Sequence, residues 1–259
     1  VAHRAGNSLR TLAAAERRGA DVVECDVHLH RGRLVVTHLK GAGPLPLLWD
    51  RWELVSTRTP QLELADLLEA RAVGTTLMLD LKGWHTSVAR SVTALLQEQE
   101  RQDPVLACGR WWPSVDAVAE LPFVLPVLSA RNARELRRLR RRLVSGPAVH
   151  GVSVHRSLLD AAVVRELHRH VDLVMTWPVN DAVTLDAVRA IGVSGVISDE
   201  VWVLAELVSH RRDRGRPSAE RAPAADAQAA QDDGGGAETG DAGLGQVESD
   251  EGGQQQPPG

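Results

Sequence analysis

Short apolar runs alternate with amphipathic stretches from residue 1 to about residue 210, and that alternation constrains the fold more than any other feature of the chain. Strands are expected at 1–6, 21–30, 34–38, 75–82, 105–108, 123–128, 149–154, 173–177 and 193–198. Helices are expected at 9–18, 60–72, 85–99, 132–143, 158–170, 181–191 and 201–210, with Asn7 or Ser8 capping the first and Gly19 closing it. Residues 41–59, which include Pro44, Pro46, Trp49 and Trp52, read as loop. Strands alternating with helices make a parallel sheet, and 259 residues, 43% of them hydrophobic, suffice for one large core. The expected fold is α/β, a (β/α)8 TIM barrel. An open doubly wound sheet is the second choice, weakened because no glycine-rich phosphate fingerprint follows any strand.

The barrel is expected to occupy residues 1–212 and a disordered tail residues 213–259. From Pro217 onward only Leu244 and Val247 are sizeable apolar residues, too few to offset chain entropy. Nine acidic side chains there face Arg221 alone, so the formal net charge of −4 hides a barrel that is net basic. Cys25 and Cys108 sit in apolar surroundings without metal-finger or CxxC spacing, and read as buried free thiols of a reducing compartment. No run approaches the roughly 18 apolar residues of a membrane span, and no signal-like segment opens the sequence. A cytoplasmic protein without a transmembrane segment or a nucleic-acid partner is expected.

Within the strand at 21–30, Glu24, Asp26, His28 and His30 alternate with Val23, Cys25, Val27 and Leu29. Alternate side chains on a strand point to opposite faces, so one face is apolar and the other carries the charges. Two carboxylates so placed repel one another, and a bound cation removes the difficulty. Asp80 and Lys82 share a face two residues apart on another strand. Glu24, Asp26 and Asp80 are oxygen donors, which favours a divalent cation, Mg²⁺ or Ca²⁺, over zinc. Arg4 and Lys82 place positive charge where a phosphodiester would sit, and His3 and His38 arrive from different strands to move protons. His28 is expected near this site and His30 at its rim.

Each of these residues alone has an ordinary use. His3 and Arg4 could be a strand-end pair, Glu24 and Asp26 could be neutralised by Arg4 and Lys82, and Asp80 and Lys82 could be a plain ion pair. His3, Arg4, Glu24, Asp26, Asp80, Lys82 and Trp177 all fall at or near strand C-termini, and their gathering there argues for a common site, because that end is the catalytic mouth of a barrel.

The order His3-Arg4, Asn7-Ser8, Gly19-Ala-Asp21, Glu24-Cys-Asp26-Val-His28, Val35-Val-Thr-His38, Leu79-Asp80-Leu-Lys82, Trp177-Pro-Val-Asn180 and Gly195-Val-Ile-Ser-Asp199 resembles the glycerophosphodiester phosphodiesterase family over nearly all of residues 1–210. The resemblance implies a TIM barrel that hydrolyses glycerophosphodiesters to an alcohol and glycerol 3-phosphate. It implies His3 and His38 as the acid/base pair, Glu24, Asp26 and Asp80 as metal ligands, Arg4 and Lys82 as phosphate contacts, and Trp177 in the substrate pocket. The sequence departs from the family in three places. The loop after His3-Arg4 is cut to Ala5-Gly6, with Gly6 where a Glu is common. Leu39 and Lys40 follow His38 where an Asp is usual. Asp80 stands where the family generally has Glu. The spider-venom sphingomyelinase D enzymes, on a similar barrel, share this Asp with a Lys two residues on. An enzyme of phospholipase D type acting on lysolipid or sphingolipid diesters is therefore the alternative, with Trp49, Trp52, Trp84, Trp111 and Trp112 as a peripheral lipid-contact surface.

Overall fold

The computed structural model describes residues 1–41, 47–50, 53–56, 59–100 and 102–215, with backbone alone at 40–41, 47–50, 53–55 and 211–215. In chain order its elements are α1 (Leu9–Arg17), β1 (Val22–His30), β2 (Arg33–Val36), β3 (Lys40–Gly41), β4 (Leu47–Asp50), β5 (Glu53–Ser56), β6 (Leu62–Glu63), α2 (Leu64–Ala70), β7 (Thr76–Leu81), α3 (Ser87–Glu98), β8 (Val105–Gly109), α4 (Trp112–Val118), β9 (Val124–Ala130), α5 (Ala133–Ser145), β10 (Gly151–His155), α6 (Ala161–Leu167), β11 (Leu173–Trp177), α7 (Ala182–Ala190), β12 (Gly195–Val196) and α8 (Val201–Gly215).

Strands β1, β7, β8, β9, β10, β11 and β12 run parallel, each paired with the next. The ring closes through Ala2, which bridges Val23 on one side and Ser198 on the other. The Ala2 N–H donates to Val22 O at 2.8 Å, and the His3 N–H donates to Ser198 O at 3.0 Å. Counting that segment, eight staves form the barrel among the described residues, as the strand–helix alternation predicts.

The periodicities of strand and helix explain the layers. Val23, Cys25 and Val27 are fully buried on the outer face of β1, packed with Leu12 of α1, Leu64, Leu67 and Leu68 of α2, and Val88, Val92 and Leu96 of α3. A second outer core joins α4, α5 and α6 to β9, β10 and β11. Inside the barrel, Met78, Leu106, Cys108, Val127, Met175 and Ile197 form an apolar plug on which the site rests. Each large aliphatic side chain so buried contributes roughly 1.5–3 kcal/mol. Cys25 and Cys108 are buried free thiols, as expected.

Residues 31–36 fold back on β1 as a hairpin, His30 pairing Arg33 across a two-residue turn. Both turn residues have positive φ, Arg31 at 51° and Gly32 at 80°, the twist that tight hairpins prefer. This hairpin returns the chain to the barrel mouth at His38.

Two expectations are corrected. The stretch read as loop, 41–59, contains the antiparallel strands β4 and β5, which with β3 make a small separate sheet. Helix α4 lies where the sequence pattern predicts no helix; Pro113 occupies the first-turn position that prolines favour, with Val115 and Val118 buried beneath. Helix α8 continues past residue 212 to Gly215. Residues 216–259 of the tail expected at 213–259, and the side chains of Trp49 and Trp52, lie outside the described residues. Among the described residues no helix is long and apolar enough to cross a membrane.

Candidate active site

Register decides what meets at the mouth. Asp26 of β1 pairs directly with Asp80 of β7, and Glu24 lies one inward-facing position below Asp26. One carboxylate oxygen from each of Glu24, Asp26 and Asp80 lies within 4.8 Å of the others. Glu24 and Asp26 are buried at 3% and 1% exposure, while Asp80 is partly exposed. Lys82, held by its backbone N–H to Val27 O, brings its ammonium between Asp26 and Asp80 and pairs with both.

The three acids are not neutralised alike. Burial opposes ionisation of Asp26, but the charge and hydrogen bond of Lys82, with help from Asn7 and His38, outweigh it and pull its pKa down to about 2. Glu24 is pushed up to about 7, first by burial and then by the charges of Asp26 and Asp80. Lys82 is held above its ordinary value because those two carboxylates outweigh the cost of its burial. Glu24 is thus the buried carboxylate that the protein's own cations leave least satisfied. An all-oxygen donor set with one undercompensated member fits a hard divalent cation.

Arg4 directs its backbone N–H onto Glu24 Oε2 at 2.6 Å, and its Nε stands 3.9 Å from Asp26 Oδ2. To do so it adopts φ 54°, a left-handed conformation uncommon outside glycine. His3 donates from Nδ1 to Asp199 Oδ1 at 2.6 Å and places Nε2 4.0 Å from Glu24 Oε2. Burial alone would lower the His3 pKa, but the Asp199 hydrogen bond and the charges of Glu24 and Asp199 raise it. His38 sets Nδ1 3.2 Å from Asp26 Oδ2. That carboxylate orients the His38 ring.

Trp177 ends β11, packs edge-on against His155 at 5.1 Å, and walls a cavity of about 230 Å³ with His3, Arg4, Glu24 and Asp80. His28 lines a second cavity beside His38 and Lys82, and its pKa is lowered by burial and then by Lys82. His30 is half-buried and lines neither cavity. The structure therefore brings His3, Arg4, Glu24, Asp26, His38, Asp80, Lys82 and Trp177 to one end of the barrel.

Of the tryptophans expected as a contact surface, Trp49 and Trp52 have side chains outside the described residues. Trp112 is 4% exposed in the core, with Arg138 stacked 4.4 Å above its ring, and Trp84 alone of the described set is well exposed at the mouth.

Four further residues at the site carry no site role in the sequence analysis. Of the two candidate helix caps, Asn7 and Ser8, Ser8 takes the position, its side chain accepting from the Thr11 N–H. Asn7 instead clasps Asp26, donating to Oδ2 at 2.7 Å and accepting its backbone N–H at 2.9 Å. Asp199 orients His3, and Asn180 braces Asp199 through its side chain and backbone at 3.3 and 3.1 Å. Both belong to the motifs Trp177-Pro-Val-Asn180 and Gly195-Val-Ile-Ser-Asp199, so the signal was present without a function attached. Arg110, just beyond β8, borders both cavities. An arginine directly after a barrel strand was its only signal.

No protein-family model matches the sequence, and no curated protein matches it. Solved structures do match. A phosphodiesterase of Oleispira antarctica, in complex with the product sn-glycerol-3-phosphate, is 18% identical, with 80% of this chain and 95% of that one covered and a TM-score of 0.63. A glycerophosphodiester phosphodiesterase of Thermotoga maritima is 18% identical, covering 80% and 96% at a TM-score of 0.61. Another, from Parabacteroides distasonis, is 18% identical, covering 80% and 91% at a TM-score of 0.60. The chain shares the fold of these enzymes, a TIM barrel.

Proposed function

We propose that the chain is a metal-dependent phosphodiesterase that hydrolyses glycerophosphodiesters to an alcohol and glycerol 3-phosphate. The observation that carries this reading is the cluster of Glu24, Asp26 and Asp80, flanked by His3 on one side and His38 on the other, with Arg4 and Lys82 beside it. Solved proteins of the same fold, 18% identical, are phosphodiesterases, which supports the assignment.

Glu24, Asp26 and Asp80 would hold the cation, Mg²⁺ or Ca²⁺. When bound, such an ion polarises a phosphoryl oxygen and offsets the charge that builds at phosphorus. The remaining work belongs to the chain. Arg4 and Lys82 draw the anionic diester to the mouth. His3, whose Nε2 faces the carboxylates while Asp199 holds Nδ1, and His38, steadied by Asp26, form the acid/base pair. One removes the proton of the attacking hydroxyl and the other protonates the departing alkoxide. Water attacks phosphorus directly, or the glycerol hydroxyl attacks first and water then opens the resulting cyclic phosphate. Trp177 and the apolar plug exclude water from one wall.

The test is glycerol 3-phosphate release from glycerophosphoglycerol and glycerophosphocholine, with Mg²⁺, with Ca²⁺ and with a chelator, beside Asp80→Ala. Release that requires the cation and is lost in the variant is expected. Folded protein that releases nothing from either diester with either ion would sink the assignment.

A further inference from the structure

Resting on that reading, we propose that the cavity between His38 and Trp84 receives the alcohol half of the diester, and that Arg110 makes it prefer anionic head alcohols to quaternary ammonium ones. Two cavities meet at Asp80. The one on the His3 side, about 230 Å³, runs down to Met78, Ile197 and the inward hydroxyls of Ser129 and Ser153. The one on the His38 side, about 300 Å³, opens outward past Trp84, which is 61% exposed. The two ester arms leave the tetrahedral phosphorus in different directions, so a diester held at the carboxylates can seat one arm in each cavity. The first cavity, floored by the buried side chains of Met78, Cys108, Ser153 and Ile197, suits the glycerol arm that all such substrates share. The second, rimmed by the exposed Gly83, Trp84 and Arg110, suits the arm that varies.

Charge in the open cavity then sets what enters. Among the described residues its acid is Asp80, already paired with Lys82, and its fixed cations are Lys82 and Arg110. The guanidinium of Arg110 stands 5.8 Å from the centre of the Trp84 ring, and Trp111 packs edge-on to the same ring at 5.9 Å. The aromatic face that could hold a trimethylammonium group is therefore already taken by a cation. Among the described residues Arg110 has one ion-pair partner, Glu135 at 3.6 Å, and Glu135 also pairs with Arg131 at 3.4 Å. One carboxylate shared by two guanidiniums leaves Arg110 with attraction to spare for a phosphate on the head alcohol.

The test compares kcat/KM for three glycerophosphodiesters whose head alcohols are inositol phosphate, glycerol and choline, in wild type, Arg110→Gln and Arg110→Glu. Wild type should rank inositol phosphate first and choline last. Arg110→Gln should narrow the gap between those two by about fivefold, the effect of one partly exposed charge contact. Arg110→Glu should reverse their order, which a loss of mere packing would not do, with melting temperature checking that each variant is folded. A choline preference in wild type, or an unchanged ranking in folded Arg110→Glu, would overturn the proposal. Failure of wild type to turn over any of the three with its cation would instead overturn the phosphodiesterase reading, and the subsite with it.

Discussion

The imidazole of His3 donates to Asp199 at 2.6 Å, tying the first stave of the barrel to the segment after the last. Because folded His3 holds its proton more tightly than the unfolded chain does, the pair stabilises the fold fully below the ordinary histidine value of 6.5. That contribution fades as pH rises through the higher folded value. Asp199→Asn removes the charge and should lower the His3 pKa. We expect kcat to fall about 10–100-fold, the usual size for loss of a group that orients an active residue. The limb of the pH–rate profile that follows His3 should move to lower pH, and an NMR titration of the His3 ring would show the same shift. A limb that stays in place would remove Asp199 from the mechanism.

Glu24 is the group whose charge the fold tolerates least. Its ordinary value of 4.5 rises to about 7 on folding, through burial and then the charges of Asp26 and Asp80, so the folded state binds more protons between those values. Stability in a chelator should therefore decline as pH rises through that window. Glu24→Gln keeps an oxygen for the Arg4 N–H but cannot ionise. It should abolish that slope and raise stability at pH 8 by roughly 2 kcal/mol, about 5 °C in a domain of this size. The same substitution should abolish turnover. Melting curves across pH, with and without the cation, check both halves, and a slope that survives in Glu24→Gln would place its origin elsewhere.

The barrel and most of its site are legible in the sequence because each rests on a local rule. Alternation on β1 separates Glu24 and Asp26 from Val23, Cys25 and Val27, and the structure keeps that division. What the sequence does not carry is register. That Asp26 lies beside Asp80 depends on how β1 and β7 slide past each other, and that Asp199 reaches His3 depends on closure of the ring through Ala2. The choice between Asn7 and Ser8 as helix cap stays open in the sequence for a related reason. Asn and Ser are near-equal helix caps, and only the tertiary neighbour, Asp26, decides which of Asn7 and Ser8 takes that position. The strands β4 and β5 hid among prolines and tryptophans that suggest a loop.

Gly6 sits where β1 leaves no room for a side chain. A Cβ at this buried position would lie 2.7 Å from Cys25 Cβ and 3.1 Å from Glu24 O, so the turn after Arg4 packs backbone against β1 with no room for a side chain. Gly6→Ala should cost about 1–3 kcal/mol by overpacking. The displaced turn carries Arg4 and Asn7, so activity should fall in variants that remain folded at the assay temperature. Denaturant unfolding beside kcat/KM measures the two effects separately, and an unchanged midpoint would show that β1 yields to the extra methyl.

Asn7 gives the sharpest separation of geometry from charge. It supplies Asp26 with a donor to the carboxylate and an acceptor for the backbone N–H, both in surroundings where an unmet group costs about 1–3 kcal/mol. Asn7→Ala should destabilise by that amount and reduce turnover, since Asp26 also steadies His38. Asn7→Asp keeps the shape and an acceptor but replaces the donor with a second negative charge 2.7 Å from Asp26 Oδ2. Two carboxylates at that distance cannot both ionise without penalty. Asn7→Asp should therefore be less stable than Asn7→Ala at pH 8 and should recover relative to it as pH falls and one proton is shared between the two acids. Equal stability of the two variants at every pH would mean that Asn7 acts on Asp26 by packing and not through its amide.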